Sequence, residues 1–160
     1  MTDQRTLDLA TLLDQEERLQ FQTFDNDDAW RVGCRLVELA RERGLPVTID
    51  ITRGTQQLFH AALPGTSADN DDWIRRKCRL VYRFGHSSYY TGRSYTDVGE
   101  RFEDQPHWDQ LQHAAHGGCF PVIIRGVGVV GTITVSGLPQ WEDHELVITV
   151  LEEILWAPQP

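Results

Sequence analysis

Apolar positions recur along this chain with two periods, and the order in which those periods alternate predicts its architecture. Leu9, Leu12, Leu13 and Leu19 form a stripe at helical spacing and predict a first helix over Thr6 to Leu19. Leu19 to Phe24 reads as a short strand. Asp25, Asn26, Asp27 and Asp28 then cluster, residues that cap a helix and complement the positive end of its dipole. Nothing downstream completes a calcium loop. The second helix is expected from Asp27 to Arg43, with Trp30, Gly33, Cys34, Val37 and Ala40 on one face and Leu36 and Leu39 widening it. Gly44 and Pro46 end it. Val47, Ile49 and Ile51 then alternate with Thr48, Asp50 and Thr52, Arg53-Gly54 turns the chain, and Gln56 to Leu63 returns as a hairpin.

Beyond a loop over Pro64 to Asn70, Ser67 or Asp69 caps a third helix through Trp73, Lys77, Leu80, Val81 and Phe84, which Gly85 ends or bends. Ser87 to Ser94 reads as a short helix or an ordered loop. Asp97 to Asp109 is polar and contains Pro106, so it reads as a surface excursion, and Gln110 to Ala115 as one more helical turn. Cys119 to Ile124 and Val127 to Val135 form a hairpin around Arg125-Gly126, with Val127, Val129, Gly131, Ile133 and Val135 on one face. A last helix carries Glu142, Asp143 and Glu145 in its first turn and a buried stripe of Val147, Val150, Leu151 and Ile154. Hairpin-joined strands alternating with long helices predict one α+β domain over residues 1–160, an antiparallel sheet covered by helices. A doubly wound parallel fold is excluded.

Composition narrows the function classes. The 160 residues suit one core, and 40% apolar content is that of a globular protein. No apolar run is long enough to span a bilayer, so no membrane association is expected. Met1 to Ala10 carries Asp3 and Asp8 without an apolar stretch and reads as no signal peptide. The three cysteines, Cys34, Cys78 and Cys119, are odd in number and far apart, with no CxxC. They read as buried reduced thiols, which makes a cytoplasmic location the expectation. A net charge of −9 opposes binding to nucleic acid. Lys77 is the sole lysine. The remaining cations are arginines, which leaves a local anion site open beside the plainer reading of a solvated surface.

Three segments carry a family resemblance: LFHAALPGTSADNDDWIRRK (Leu58 to Lys77), RFGHSSYYTGR (Arg83 to Arg93) and HGGCFPVIIRGVGVVGTITVSGLPQWEDHELV (His116 to Val147). The last is the most specific, because GG-x-x-P, GTITVSG and a following Asp occur together in order. The chain resembles the small haem-degrading-domain proteins of the GlcG/HbpS/PduO C-terminal-like superfamily, in a subfamily described only as uncharacterised. The likeness extends from Leu7 to Leu155. It implies a profilin-like layered sandwich with about five antiparallel strands, and assembly into a homo-oligomer, a dimer or a larger ring. It also implies an association with haem or corrinoid binding, haem breakdown and redox sensing. One eukaryotic branch is associated with protein targeting instead.

The candidate residues fall into groups. His116 precedes Gly117 and Gly118, and paired glycines let backbone approach a ligand and expose consecutive N–H groups. An imidazole there could ligate iron or protonate a substrate. The plain alternative is a helix-to-strand turn. His86, Ser87, Ser88, Tyr89 and Tyr90 cluster between Arg83 and Arg93, a set suited to haem propionates and a flat ring, or equally to a subunit interface. Lys77 lies in the segment resembling the superfamily's lysine-bearing helix and reads as an anion ligand or as a solvated side chain. Asp143-His144 suggests acid–base chemistry, although helix neighbours do not face each other and capping explains Asp143 as well. His60 reads as structural, and His107 and His113 are weak candidates. His113 and His116 stand three apart, a chelating geometry only within a helix that Gly117 cuts short. No strong metal or catalytic motif is present. Three readings follow: a tetrapyrrole-binding or haem-processing oligomer, a non-enzymatic scaffold, and an enzyme or sensor binding a small anionic metabolite at Gly117-Gly118.

Overall fold

The computed structural model describes residues 7–156. Helix α1 (Leu9–Arg18) leads to α2 (Asn26–Glu42), then the hairpin β1 (Thr48–Arg53) and β2 (Gln56–Ala62). Helices α3 (Ala68–Phe84) and α4 (Ser88–Thr96) follow, then a 3-10 turn over Phe102–Asp104. The hairpin β3 (Cys119–Ile124) and β4 (Gly128–Ser136) and helix α5 (Gln140–Trp156) complete the fold. The sheet is antiparallel throughout in the order β2-β1-β4-β3. Helices α2 and α5 lie on one face and α3 on the other.

The sheet has four strands, not five. The segment from Leu19 to Phe24, expected as a strand, makes a single parallel bridge, Phe21 to Ile124 at the outer edge of β3. Phe21 accepts from Arg125 N–H and donates to the Ile123 carbonyl, while Leu19, Phe21 and Phe24 are all buried. Apolar anchoring, not a hydrogen-bonded ladder, holds it. The expected start of α1 at Thr6 lies outside the described residues. Gln110 to Ala115 is turn and loop, not helix. The structure orders Ser88–Thr96 as a helix, N-capped by Ser87, whose hydroxyl accepts from Tyr90 N–H.

Two registers differ from the simple period. Helix α2 buries Ala29, Val32, Gly33, Leu36, Leu39 and Ala40, which turns Trp30 outward to meet Phe59 edge-on at 5.7 Å. A Cβ at Gly33 would come within 2.5 Å of the Phe59 ring, so the missing side chain seats that aromatic. In β4 the register shifts opposite Val122 and Ile123, and Val130 rather than Val129 reaches the core. A bulge reverses the faces of a strand, which period-two counting misses.

The main core lies between the sheet and the α2/α5 layer, with Ile49, Ile51, Phe120, Ile133 and Val135 fully buried. The opposite face is also buried, but polar: Thr48, Asp50, Thr132, Thr134 and Ser136 lie under or beside α3. A smaller apolar cluster of Leu80, Phe102 and Ala115, with Phe84, Tyr95 and Trp108 against it, ties the long loop back to α3.

Candidate functional site

Two adjoining cavities share His116 and Gln140. The first, of about 200 Å3, lies between the start of α3 and the start of α5 and includes Trp73, Lys77, Gly117 and Asp143 in its lining. The second, of about 270 Å3, is lined by Arg93, Tyr89, Phe102, Glu103 and Ala115.

Lys77 is 2% exposed, so the solvated alternative does not hold. Its ammonium donates to the Val135 carbonyl at 3.2 Å and to Asp143 Oδ2 at 3.3 Å. Asp143 also accepts from Leu138 N–H at 2.9 Å, fixing the turn into α5. Burial pushes the Asp143 carboxyl up to about 6, against the pull of Lys77 and the backbone donors. Burial likewise lowers the Lys77 ammonium. Asp143 therefore both holds the turn ahead of its helix and neutralises the buried cation. Its neighbour His144 faces elsewhere: the ring is 1% exposed and meets Gln15 Oε1 at 2.7 Å. Burial holds the His144 imidazole down at about 3, so it stays neutral. Adjacent in sequence, the two share no site.

Gly118 makes room for Lys77. Its φ is +129°, and a Cβ would meet the Val135 carbonyl at 2.4 Å and Lys77 Nζ at 2.8 Å. At Gly117 a Cβ would lie 2.3 Å from the Gln140 carbonyl, and the Gly117 N–H is donated to Gln140 Oε1 at 3.1 Å. The paired glycines thus bring β3, α3 and α5 together around one point.

His116 is half-exposed between the two cavities. Its Nε2 lies 3.1 Å from Glu103 Oε1, and its ring meets Trp73 edge-on at 5.1 Å. Arg76 covers Trp73 at 4.1 Å. Burial lowers the His116 imidazole below its usual value, outweighing the opposing charge of Glu103, with Lys77 adding in the same direction. A neutral ring with its proton on Nε2, beside the Glu103 carboxylate, keeps its lone pair on Nδ1. Arg93 pairs with Asp97 at 2.6 Å, and its Nε is buried with no acceptor among the described residues.

The structure brings His116, Gly117, Lys77 and Asp143 around one cavity, with Gly118 beside them, and Arg93 joins His116 in the next. It separates the other candidates. His86 meets Glu16 at 2.7 Å, and the Ser87 N–H is donated to the same carboxylate, so both tie α4 to α1. Ser88 bonds the backbone of Cys119. The Tyr90 ring meets His86 at 4.5 Å, tilted by 40°, and Arg83 covers Trp108 at 4.2 Å. His60 pairs with Asp71 at 2.7 Å. His113 meets the edge of Trp108 rather than His116. Among the described residues no three His, Cys, Asp or Glu side chains gather as a metal would require, and no helix is long and apolar enough to cross a membrane.

Sequence reasoning missed Glu103, Trp73 and Gln140. Glu103 sat in a stretch read as a surface excursion. The available signal was Phe102, an apolar residue amid polar ones, which is 2% exposed and pins the 3-10 turn against α3 and α4.

Comparison with known proteins agrees with this architecture. The family model described as Haem degrading protein HbpS-like matches residues 24–152. A UPF0303 protein of Streptomyces coelicolor is 57% identical over 147 residues, covering 92% of this chain and 93% of the relative. The crystal structure of the Ybr137w protein superposes with a TM-score of 0.84 at 32% identity, covering 94% of this chain and 89% of that one. A PduOC–haem complex shares the fold at a TM-score of 0.67 and 15% identity, over 81% of this chain and 93% of that one. The chain belongs to the HbpS-like haem-degrading protein family, among its UPF0303 members.

Proposed function

We propose that this chain is a haem- or tetrapyrrole-binding protein whose site is the His116–Arg93 cavity. The observation that carries the reading is the pairing within one cavity of a histidine 3.1 Å from a carboxylate and an arginine whose buried Nε has no acceptor among the described residues. A ligating histidine characteristically donates its other N–H to a carboxylate, the role Glu103 would play. A buried donor without a partner costs about 1–3 kcal/mol, which an acidic ligand group at Arg93 would recover. The donor set therefore fits haem: His116 on the iron, Arg93 at a propionate, Tyr89 and Phe102 as apolar wall. Bound iron would supply redox and oxygen chemistry; these residues supply binding and orientation. Pockets that engulf a drug-sized ligand run about 300–1,000 Å3. A cavity of about 270 Å3 holds only part of a macrocycle, so this reading requires a homo-oligomer in which a second copy covers the rest.

A second reading places a small carboxylate-bearing metabolite in the Lys77 cavity, whose volume of about 200 Å3 favours it. Lys77 is paired with Asp143 there, as Arg93 is with Asp97, but among the described residues Lys77 leaves no buried donor without a partner.

Hemin titration tests the first reading. His116→Ala is expected to shift the Soret band and weaken binding. Arg93→Ala is expected to weaken binding about ten- to a hundredfold, from roughly 1.5–3 kcal/mol for a charge-assisted hydrogen bond, while leaving the spectrum in place. Wild-type spectrum and affinity in both variants would remove the site.

A further inference from the structure

Under α3, on the polar face of the sheet, two cysteines far apart in sequence meet. Cys78 Sγ lies 3.9 Å from Cys119 Sγ. Cys78 also contacts the hydroxyls of Thr132 at 3.4 Å and Thr134 at 3.3 Å, and Thr134 donates to Cys119 at 3.2 Å. The two thiols differ in access. Cys119 is fully buried, whereas Cys78 is partly exposed and lines a separate cavity of about 480 Å3 with Asp50, Arg75, Arg79 and Tyr82. Neither sulfur belongs to the lining of the His116 cavities.

We propose that Cys78 and Cys119 form a peroxide-reactive dithiol in which Cys78 is the attacking sulfur and Cys119 the resolving one. The geometry gives each its role: the attacking sulfur must be reachable from solvent, and the resolving sulfur must lie in contact behind it. The environment adds to this. Hydrogen bonds, first that from Cys119 and then those of the two threonines, lower the Cys78 thiol, while burial raises Cys119 well above its usual value. The thiolate is the nucleophile, so reaction begins at Cys78.

In the first step the Cys78 thiolate attacks one oxygen of a hydroperoxide. An S–O bond forms, the O–O bond breaks, and the departing alkoxide or hydroxide takes a proton to leave as alcohol or water. Cys78 is oxidised to the sulfenic acid and the peroxide is reduced. In the second step the Cys119 sulfur attacks the Cys78 sulfur. The S–S bond forms, the S–O bond breaks, and hydroxide leaves with the Cys119 proton as water. In sum, two thiols and one hydroperoxide give one disulfide, one alcohol or water, and one further water. The product links α3 to the start of β3. Forming it closes the sulfurs from 3.9 Å to the roughly 2 Å of a disulfide.

The test uses the full-length reduced chain and hydrogen peroxide near stoichiometry, read by denaturing thiol titration, intact mass and peptide mapping. The expected result is a fall from three free thiols to one, a mass loss of two hydrogen atoms, and a linked peptide pair containing Cys78 and Cys119. Cys34→Ser should leave that linkage unchanged. Cys119→Ser should halt the reaction at Cys78 sulfenic acid, trapped by dimedone. If a variant fails to fold, mapping of the unaltered chain decides alone. Unreacted Cys78 and Cys119, reaction at Cys34 first, or oxidation of both sulfurs without linkage would each overturn the proposal.

Discussion

Replacing Lys77 by methionine keeps most of the side-chain volume and removes the only buried cation beside Asp143. In the native chain the pair is 3.3 Å apart and both side chains are about 3% exposed. Breaking a buried pair by removing one partner costs roughly 3–5 kcal/mol, because the remaining charge stays desolvated. For a chain of this length 1 kcal/mol shifts Tm by about 2–4 °C, so Lys77→Met should lower Tm by about 6–20 °C at neutral pH. The deficit should depend on pH. Burial already raises the Asp143 carboxyl to about 6, and loss of Lys77 removes the charge that opposes this rise. A group whose folded value lies above its unfolded value of about 3.9 gives stability that is fully present at low pH and is lost as pH rises through the folded value. The variant should therefore lie nearest the native chain near pH 4 and furthest from it above pH 7. The double variant Lys77→Met with Asp143→Leu should recover most of the loss, since an apolar pair of similar volume is often neutral or better. Thermal melts of the three variants from pH 4 to pH 8 measure this. A pH-independent deficit, or a double variant less stable than Lys77→Met alone, would refute the reasoning that the pair is held together by mutual neutralisation.

Gly131→Val is expected to destabilise by at least roughly 1–3 kcal/mol, because a Cβ there would lie 2.2 Å from the Thr52 carbonyl and force β1 from β4; denaturant titration measures it. The clash is with the backbone of the neighbouring strand. His144 is held neutral down to about pH 3 when folded, against an ordinary 6.5. Its contribution is present above pH 6.5 and is lost as pH falls toward 3, so His144→Gln should flatten the acid side of the stability curve in that window; an unchanged slope would count against a buried neutral ring. Light scattering at micromolar concentration should give a dimer or larger, and a particle of only 18.3 kDa would contradict the shared-cavity reading.

The periodic pattern by itself determined much of this protein. Alternation in Val47–Thr52 and Cys119–Val135, and the stripes through α2, α3 and α5, dictated two antiparallel hairpins and their covering helices. Side-chain periods of 2 and 3.6 are set by local backbone geometry, so they are legible without a fold. Gly117-Gly118 marked a close approach of backbone for the same reason. Tertiary structure alone decided which faces met. That Phe21 joins β3 through one bridge depends on a partner distant in sequence, and that Val130 replaces Val129 in the core depends on a bulge within the β3–β4 hairpin that strict alternation does not show. The meeting of Lys77 with Asp143, of Glu103 with His116, and of Cys78 with Cys119 spans 66, 13 and 41 positions. No local propensity encodes such contacts. The first and last arise because α3 lies across the polar face of the sheet, where burial brings a lone lysine, a first-turn aspartate and two scattered thiols into contact.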